Sequence, residues 1–388
     1  MRVLLAFDKF KDSLSAQQAC DLAARALRGR HPDWSLDLCP LADGGEGFAE
    51  ILTAATGGKM SRLPVTGPRG NSHEASFGLV SLDHIPPAAR QLLALDSPPL
   101  AGHAGVARVA VIEMASASGL ALLSQEMRDP WQTTTHGTGQ LIRAAADAGA
   151  VGVLLGVGGS ATNDLGFGAL DALGLEFLTA SREKIRLPFP ARWTAINRIE
   201  GAVPAGLPPI RIACDVTNPL LGSQGAAAIY GPQKGLRTSD LSRLEHESAR
   251  VGLMLCAHCR QSDKLMDVPG AGAAGGLPFG LMTAAQARLL PGFDLVSAWL
   301  DLEARISAAD LVITGEGRFD ASSLSGKGPG AVAARALALG KTVQVFAGAV
   351  TAAPQPGLAL HAITPAGIPL AQALRDAARN LESAVGNL

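Results

Sequence analysis

The first third of the chain alternates apolar and polar positions in a strand–loop–helix pattern. The apolar run Arg2–Phe7 predicts a strand, and Ser15-Ala-Gln-Gln18 is a capping box that opens a helix. This helix keeps small and apolar residues on one face until Gly29, and the next strand is predicted over 34–41. Strands that alternate with helices predict parallel pairing through crossover helices.

The middle of the chain has a different pattern. From residue 65 to residue 123, Gly-Pro turns and short alternating runs predict a mixed sheet, with a long proline-rich loop over 84–105. A buried strand is predicted over 151–157. The strand–helix alternation then returns, with strands predicted over 310–314, 342–346 and 361–364 and helices over 330–339 and 370–385.

Length and pattern together predict two domains. The chain has 388 residues, and single cores usually stop growing at ~250–300 residues. We predict an α/β protein with two α/β domains. A doubly wound, mostly parallel Rossmann-like domain is built from both chain ends, 1–65 and 286–388, and 66–285 form an inserted mixed-sheet α/β domain.

Composition and charge narrow the class of protein. Hydrophobic residues make up 47% and charged residues 17%, which suits large cores and excludes a disordered chain. The formal net charge of −1 argues against nucleic-acid and membrane-surface partners. The first apolar run is too short for a signal peptide, and the five cysteines are typical of a reducing compartment. We therefore expect a cytoplasmic protein, whose oligomeric state the sequence leaves open.

Glycine-rich segments follow several predicted strands, where α/β proteins bind ligands. Gly156-Val-Gly-Gly-Ser-Ala161 follows a strand, leads to a helix and matches the dinucleotide fingerprint GxGxxA, with Glu176 further along the chain. Free backbone N–H groups and a helix dipole also suit phosphate or carboxylate. Three interpretations stay open: an anion site, tight packing without a ligand, and NAD binding by a hydroxy-acid dehydrogenase.

Acidic side chains gather at the same strand ends. Thr314-Gly-Glu-Gly-Arg-Phe-Asp320 predicts a second glycine-rich turn after a strand, and Ala42-Asp-Gly-Gly-Glu-Gly47 precedes a helix. Asp8 and Asp215 each follow a predicted strand. Such carboxylates hold magnesium, accept a hydroxyl proton or cap the next helix, and the sequence alone does not separate these roles. Lys327 is a further candidate to contact phosphate.

Eight segments resemble, in the same order, the bacterial glycerate kinase family of the glyoxylate and sugar-acid pathways. They are Asp8-Lys-Phe-Lys-Asp-Ser-Leu-Ser-Ala16, Ala42-Asp-Gly-Gly-Glu-Gly47, Val65-Thr-Gly-Pro68, Gly158-Gly-Ser-Ala-Thr-Asn-Asp164, Cys214-Asp-Val-Thr-Asn-Pro219, Gly231-Pro-Gln-Lys-Gly235, Pro269-Gly-Ala-Gly-Ala-Ala-Gly-Gly276 and Thr314-Gly-Glu-Gly-Arg318. They span nearly the whole chain. Phe7 stands where proline is usual in the family, and the insertion over 84–105 is longer than typical.

The resemblance implies ATP- and magnesium-dependent phosphorylation of D-glycerate to 2-phosphoglycerate, with 3-phosphoglycerate as the other product to consider. For that reaction we expect Asp43, Asp164 and Asp215 to be catalytic and Asp320 to bind the metal. The residues expected to bind substrate or phosphate are Lys9, Gly158, Gly159, Ser160, Asn163, Lys234, Gly315, Glu316, Gly317 and Arg318.

Overall fold

A computed structural model describes residues 1–95, 106–321, 323, 328–353 and 355–388. Most of the second half of the proline-rich insertion, 96–105, and Lys327 lie outside the described residues. No helix in the ranges described is long and apolar enough to cross a lipid bilayer.

The strands, numbered in chain order, are β1 (Arg2–Phe7), β2 (Ser35–Leu38), β3 (Lys59–Thr66), β4 (Ser72–Ser81), β5 (Arg108–Glu113), β6 (Ala150–Gly156), β7 (Leu175–Leu178), β8 (Arg198–Gly201), β9 (Ile210–Ala213), β10 (Arg288–Leu290), β11 (Leu311–Phe319), β12 (Thr342–Val350) and β13 (Leu358–Ala362). The helices are α1 (Ala16–Arg30), α2 (Phe48–Ala55), α3 (Pro87–Leu93), α4 (Ala115–Ser118), α5 (His136–Asp147), α6 (Phe167–Leu173), α7 (Ala226–Tyr230), α8 (Leu241–Cys259), α9 (Leu277–Ala285), α10 (Gly292–Trp299), α11 (Leu302–Ala308), α12 (Gly328–Ala338) and α13 (Leu370–Val385).

The chain forms two compact units. The terminal unit consists of Met1–Asp43 and Val296–Leu388, and the inserted unit consists of Gly44–Leu295. Among the described residues of the terminal unit, the strands form a parallel sheet in the order β13-β12-β11-β1-β2. The central strand β1 therefore pairs with β2 from the start of the chain and with β11 from its last third.

Helices cover both faces of this parallel sheet. Leu5 and Phe7 of β1 pack into a core that also contains Leu27 of α1 and Leu381 of α13. Leu4, which points to the opposite face in an extended strand, is equally buried, and α11 and α12 contact β1. The predicted doubly wound α/β architecture is confirmed for this unit.

Helix α1 begins with the predicted capping box. The Gln18 backbone N–H donates to Ser15 Oγ at 3.1 Å, and the Ser15 backbone N–H donates to Gln18 Oε1 at 2.9 Å. These reciprocal bonds satisfy donors that the first turn would otherwise leave unpaired. The helix then continues to Arg30.

The inserted unit contains a mixed sheet, as the sequence predicts. In its described residues the strand order is β10-β9-β6-β5-β4-β3, parallel from β10 to β5 and antiparallel from β5 to β3. Its core includes the aromatic rings of Phe167 and Phe177, whose centroids lie 4.5 Å apart, and the buried Trp193.

The boundaries between the units differ from those expected at residues 65 and 285. Residues 44–65 belong to the inserted unit, because β3 pairs antiparallel with β4 along its whole length. Residues 286–295 also belong there, since β10 pairs with β9. The local pattern of α2 and β3 continues the strand–helix alternation of the first residues, so it does not show which sheet β3 joins.

Two local predictions are wrong. The insertion expected to be a loop contains α3, whose carboxyl-terminal carbonyls on Leu93 and Ala94 accept hydrogen bonds from the buried guanidinium of Arg211 at 2.6 and 2.7 Å. The strand expected to end at Thr314 continues to Phe319, because β12 continues beside it as far as Val350.

Substitution of Gly315 tests how closely β11 packs against β12. A Cβ atom at this position would lie 1.9 Å from the carbonyl oxygen of Phe346 in β12. We expect Gly315→Ala to destabilise the protein by about 2–4 kcal/mol, measured by urea unfolding.

The matched control is Gly29→Ala in α1, where a Cβ has no neighbour within 4 Å. It should be neutral or stabilising by up to about 1 kcal/mol. Unfolding of Gly315→Ala at the wild-type urea concentration would contradict the assigned strand contact.

Candidate functional site

The carboxyl edge of the terminal sheet contains a topological switch point. From β1 the chain passes to β2 on one side, while β11, β12 and β13 extend on the other side. In doubly wound sheets, ligands bind outside the carboxyl ends of the strands at such a point. Asp8 and Lys9 follow β1 directly at this edge, and Glu316 lies on the neighbouring β11, just beyond the paired residues Phe7 and Gly315.

Lys9 links two carboxylates at this edge. Its Nζ donates to Asp43 Oδ1 at 2.9 Å, and its backbone N–H donates to Asp8 Oδ1 at 2.7 Å. The backbone N–H of Asp8 donates in turn to the Gly315 carbonyl at 2.9 Å, which fixes Asp8 beside β11. The side chain of Asp43 is 49% exposed and that of Lys9 is 22% exposed, so both can reach a ligand.

The carboxylates at the switch point oppose one another's ionisation. Burial and the negative charges of Asp43 and Glu316 together raise the pKa of Asp8 to about 7, against the opposing charge and backbone hydrogen bond of Lys9. Burial also raises the pKa of Glu316, with further contributions from Asp320 and Asp43 and an opposing hydrogen bond from Ser323. A bound cation would relieve this repulsion.

The donor atoms at the switch point fit magnesium. They are hard carboxylate oxygens, and Glu316 Oε1 is buried without a hydrogen-bond partner among the described residues. The ranges that the structure describes hold no group of three or more His, Cys, Asp or Glu side chains arranged around one metal ion. Magnesium commonly uses one or two carboxylates and completes its shell with water and substrate phosphates, so this arrangement suits it.

The expected glycine-rich turn at Gly315–Gly317 is absent, because these residues lie inside β11. Gly315 allows the close approach of Phe346, and the Gly317 carbonyl oxygen lies 2.4 Å from where a Cβ on Gly348 would be. The glycines therefore serve strand packing. Arg318, exposed on the same strand, places its Nε 3.4 Å from Asp320 Oδ2.

The glycines of 156–161 also serve packing, in the inserted unit. The Gly158 backbone N–H donates to the Gly44 carbonyl at 3.0 Å, and a Cβ on Gly158 would lie 2.7 Å from the nitrogen of Gly45. The Gly159 carbonyl accepts a hydrogen bond from the Leu120 N–H at 2.7 Å, and Ser160 forms a β-bridge with Gly119.

The dinucleotide fingerprint at 156–161 lacks its structural context. In a dinucleotide-binding fold the glycine turn opens a helix directly, but α6 begins only at Phe167. Glu176, the expected ribose partner, lies on β7 with Lys184 Nζ at 3.4 Å. The NAD interpretation of this segment is therefore not supported by its geometry.

Asp164 joins the beginnings of α5 and α6. Its Oδ2 accepts from the Thr135 N–H at 2.7 Å, the Thr135 hydroxyl at 2.9 Å and the Gly168 N–H at 3.2 Å, while Oδ1 accepts from the Gly166 N–H at 3.1 Å. The side chain is fully buried, and burial raises its pKa against the effect of these four bonds. Both oxygens are thus engaged by the chain itself.

Asp215 occupies the capping role that the sequence left open. The Phe293 N–H, in the first turn of α10, donates to both carboxylate oxygens at 3.1 and 3.0 Å. A negative side chain at this end of a helix complements the helix dipole.

Asn163 and Lys234 are buried in the inserted unit, each with 1% of its surface exposed. Lys234 Nζ donates to the Thr162 carbonyl at 2.6 Å. Burial lowers the pKa of Lys234 to about 7, which the charge of Asp164 opposes in part. Neither side-chain polar atom of Asn163 has a hydrogen-bond partner in the part of the chain that is described.

The expected residues thus separate into two groups. Lys9, Asp43, Gly315, Glu316, Gly317, Arg318 and Asp320 share the terminal unit, and Gly158–Ser160, Asn163, Asp164, Asp215 and Lys234 share the inserted unit. Asp8, noted in the sequence as a strand-end carboxylate, was not assigned a role in the reaction there. Its signal was present, because a carboxylate directly after a buried first strand lies at the ligand-binding edge of a parallel sheet.

Comparison with known proteins decides the family. The model of the glycerate kinase family matches residues 3–388. The chain belongs to the glycerate kinase family. The glycerate kinase of Bacillus subtilis (strain 168) is 38% identical over 98% of this chain and 95% of the relative. The Escherichia coli (strain K12) glycerate 2-kinase is 38% identical over 90% of this chain and 86% of the relative.

A solved structure agrees with this family. The crystal structure of a Salmonella typhimurium LT2 protein named as a glycerate kinase 2 superposes with a TM-score of 0.75 at 36% identity, covering 100% of this chain and 96% of that one. Membership of the glycerate kinase family replaces the dehydrogenase alternative, in agreement with the geometry of 156–161.

Asp164→Asn tests the hydrogen bonds at α5 and α6. One of the two accepting oxygens becomes an NH2 group that faces N–H donors, so we expect a loss of about 1–3 kcal/mol in unfolding free energy. Thermal and urea unfolding measure it. Asp147→Asn, at an exposed position of α5, is the control and should change little. An unchanged midpoint for Asp164→Asn would show that these bonds do not stabilise the fold.

Asp8 makes stability depend on pH. Its pKa is about 7 in the folded protein and near 3.8 when unfolded, so between these values the folded state binds more protons and stability falls as pH rises. Above pH 7 the penalty is fully present. We expect Asp8→Asn to be more stable than wild type at pH 8, by at most the roughly 4 kcal/mol that a pKa difference of about 3 corresponds to.

The difference between Asp8→Asn and wild type should shrink as the pH approaches 4, which unfolding curves at several pH values will measure. Asp33→Asn, at an exposed turn, should follow the wild-type curve. Parallel curves for Asp8→Asn and wild type would contradict the assigned burial of charge at the switch point.

Proposed function

We propose that this chain transfers the γ-phosphoryl group of ATP to the 2-hydroxyl of D-glycerate, giving 2-phosphoglycerate and ADP, with magnesium as the metal. The observation that supports this most is the cluster of Lys9, Asp8, Asp43 and Glu316 at the switch point of a parallel sheet, in a member of a kinase family. Phosphoryl transfer depends mainly on positioning and charge neutralisation, and this cluster supplies both kinds of group.

The reaction requires one bond to form and one to break. The hydroxyl oxygen of glycerate bonds to the γ-phosphorus, the bond from that phosphorus to the oxygen bridging the β-phosphate breaks, and the electron pair leaves with ADP. The hydroxyl proton passes to a carboxylate. We assign this role to Asp43 ahead of Asp164 or Asp215, because the Asp43 side chain is 49% exposed, whereas Asp164 is fully buried and Asp215 accepts from the Phe293 N–H with both oxygens.

Cations would neutralise the phosphate charge. Lys9, anchored by Asp8 and Asp43, presents an ammonium group at the carboxyl edge of β1. Asp320 and the unpaired Oε1 of Glu316 are the proposed magnesium ligands. Bound magnesium supplies charge neutralisation on the transferring group. Arg318 is a second cation near Asp320, at an exposed position where it would contact phosphate.

A coupled ADP assay with phosphorus NMR of the product tests the proposed reaction. ADP should form with D-glycerate, ATP and magnesium together, and not when D-glycerate is omitted or replaced by L-glycerate. In 2-phosphoglycerate the phosphorus couples to the single proton on carbon 2 and gives a doublet, whereas 3-phosphoglycerate gives a triplet. A triplet would move the attacked hydroxyl to carbon 3, and no ADP would refute the kinase activity.

Lys9→Met tests the role of the switch-point cluster. Removing one preorganised charge at a phosphoryl-transfer site should lower kcat by on the order of 100-fold, with the fold retained by circular dichroism. Lys59→Met, at an exposed position of β3, is the matched control and should turn over normally. Normal turnover of Lys9→Met would remove the cluster from the reaction.

A further inference from the structure

The inserted unit contains a cavity of about 500 Å³ that none of the candidate site residues line. Its lining comes from 201–207 and from the last turns of α8 and α9, together with Leu175 at the start of β7. These described residues include no Asp, Glu, Lys or Arg. Sites for small molecules commonly have volumes of roughly 300–1,000 Å³, so this cavity can hold a small organic molecule.

The strand order places the cavity at the amino edge of the mixed sheet. Leu207 and Gln286 line it, and they precede the parallel strands β9 and β10. Asp215 and Phe293, which bond to each other, follow the same two strands. A strand rises ~3.3 Å per residue, so β9 alone separates the two edges by roughly 13 Å. A ligand in the cavity would therefore occupy a site separate from the carboxyl edge.

Two helices end at the cavity. Cys259 is the last residue of α8 and Ala285 the last residue of α9, and both line it. The carbonyl groups at a helix end lack intrahelical partners and together carry about half a negative charge. No basic residue lies in the last turn of α9, and no described residue donates to the carbonyls of Ala284 and Ala285. Arg260 follows α8 but does not line the cavity. These helix ends favour a positively charged ligand.

His258 adds a hydrogen-bond acceptor to the lining. Its Nε2 lies 2.8 Å from the Gly201 carbonyl oxygen, which can only accept, so Nε2 carries the hydrogen. In the neutral ring Nδ1 is then an acceptor, and none of the described hydrogen bonds reaches it. The Thr283 hydroxyl is already used, because it donates to the Phe279 carbonyl at 2.8 Å. The lining therefore has free acceptors for a ligand that brings donors.

Apolar side chains form another part of the lining, namely those of Leu175, Val203, Pro204 and Leu207. We propose that this cavity binds a small organic ammonium ion, with its alkyl group against these side chains and its ammonium group at the ends of α8 and α9. The ammonium supplies the donors and the positive charge that the lining lacks. A carboxylate would add acceptors and a charge of the same sign as the helix ends. This binding does not depend on the proposed phosphoryl transfer.

Cys259 provides a reporter within the cavity. Its thiol is partly exposed, as is that of Cys214, whereas Cys20, Cys39 and Cys256 are buried. Cys214 follows β9 at the opposite edge and is the internal control. Iodoacetamide alkylation of the folded protein, mapped by mass spectrometry, gives the rate at each thiol. Burial raises the pKa of Cys259, so the reaction is run at about pH 8, where a primary ammonium keeps its charge.

Butylammonium is the probe, with butanol and butyrate as matched compounds of the same chain length. At about ten times its Kd, butylammonium should slow alkylation of Cys259 roughly tenfold, because protection follows 1 + [L]/Kd, and should leave Cys214 unchanged. Butanol, which lacks the charge, should protect less, and butyrate should not protect. Equilibrium dialysis with radiolabelled butylammonium measures the Kd and should give one site per chain.

Ala205→Trp tests the location of the site. Ala205 is exposed and lines the cavity, so an indole ring there takes up space in the cavity without disturbing the core. This variant should lose both the protection of Cys259 and the bound butylammonium, at an unchanged melting temperature. Ala180→Trp, at an exposed position outside the lining, is the matched control and should bind as wild type does.

Three results would overturn the proposal. Equal protection by butanol or butyrate would refute the ammonium class of ligand. Binding that persists in Ala205→Trp would place the ligand outside the cavity. Should Cys259 fail to react with iodoacetamide, dialysis decides alone, and an absence of bound butylammonium would refute the site. None of these results bears on ADP formation, so the kinase proposal stands or fails separately.

Discussion

The parallel pairing of β1 with β11 joins residues from the two ends of the chain, Val3 with Leu311 through to Phe7 with Gly315. This pairing places β1 in the centre of the terminal sheet and creates the switch point at its carboxyl edge. It also brings Asp8, which follows β1, into electrostatic contact with Glu316 of β11. The fold of the unit and the chemistry of its edge therefore depend on the same strand register.

Crowded carboxylates at that edge raise the free energy of the ligand-free protein. Asp8, Asp43 and Glu316 repel one another, and Lys9 compensates only part of the charge. Strain of this kind is typical of functional sites, where a bound cation and its ligands complete the charge balance. The inserted unit contains a buried lysine, Lys234, whose pKa burial lowers to about 7 while the charge of Asp164 opposes the shift in part.

The sequence predicts those features that neighbouring residues determine. The capping box of α1, the helix over 370–385 and the alternation that gives the α/β class depend on local spacing, and the structure confirms them. The family was also accessible, because its motifs are short and lie in order. The boundary of the inserted unit could not be predicted in this way, since the pairing of β3 with β4 depends on tertiary contacts and not on the local sequence pattern.

Site roles were harder to predict, for physical reasons visible in single residues. Asp43, Asp164 and Asp215 have the same signal in the sequence, an acid beside glycine or a strand end. The structure separates them by environment: Asp43 is 49% exposed, Asp164 is fully buried, and Asp215 accepts from the Phe293 N–H. The glycine-rich sequence at 315–317 is typical of a turn. In the structure it lies in β11, where the glycines allow β12 to pack closely. The unpaired amide of Asn163 depends on its whole environment, which no local pattern encodes.

The construction of the terminal unit from both chain ends also constrains synthesis. Arg2 and Asp310 are joined by a hydrogen bond that spans 308 residues, so β1 leaves the ribosome long before its central partner strand exists. The inserted unit is complete by residue 295 and can fold first, as domains generally do in order of emergence. Until β11 appears, one edge of the apolar β1 lacks its partner strand, and an unpaired strand edge is a site where chains aggregate.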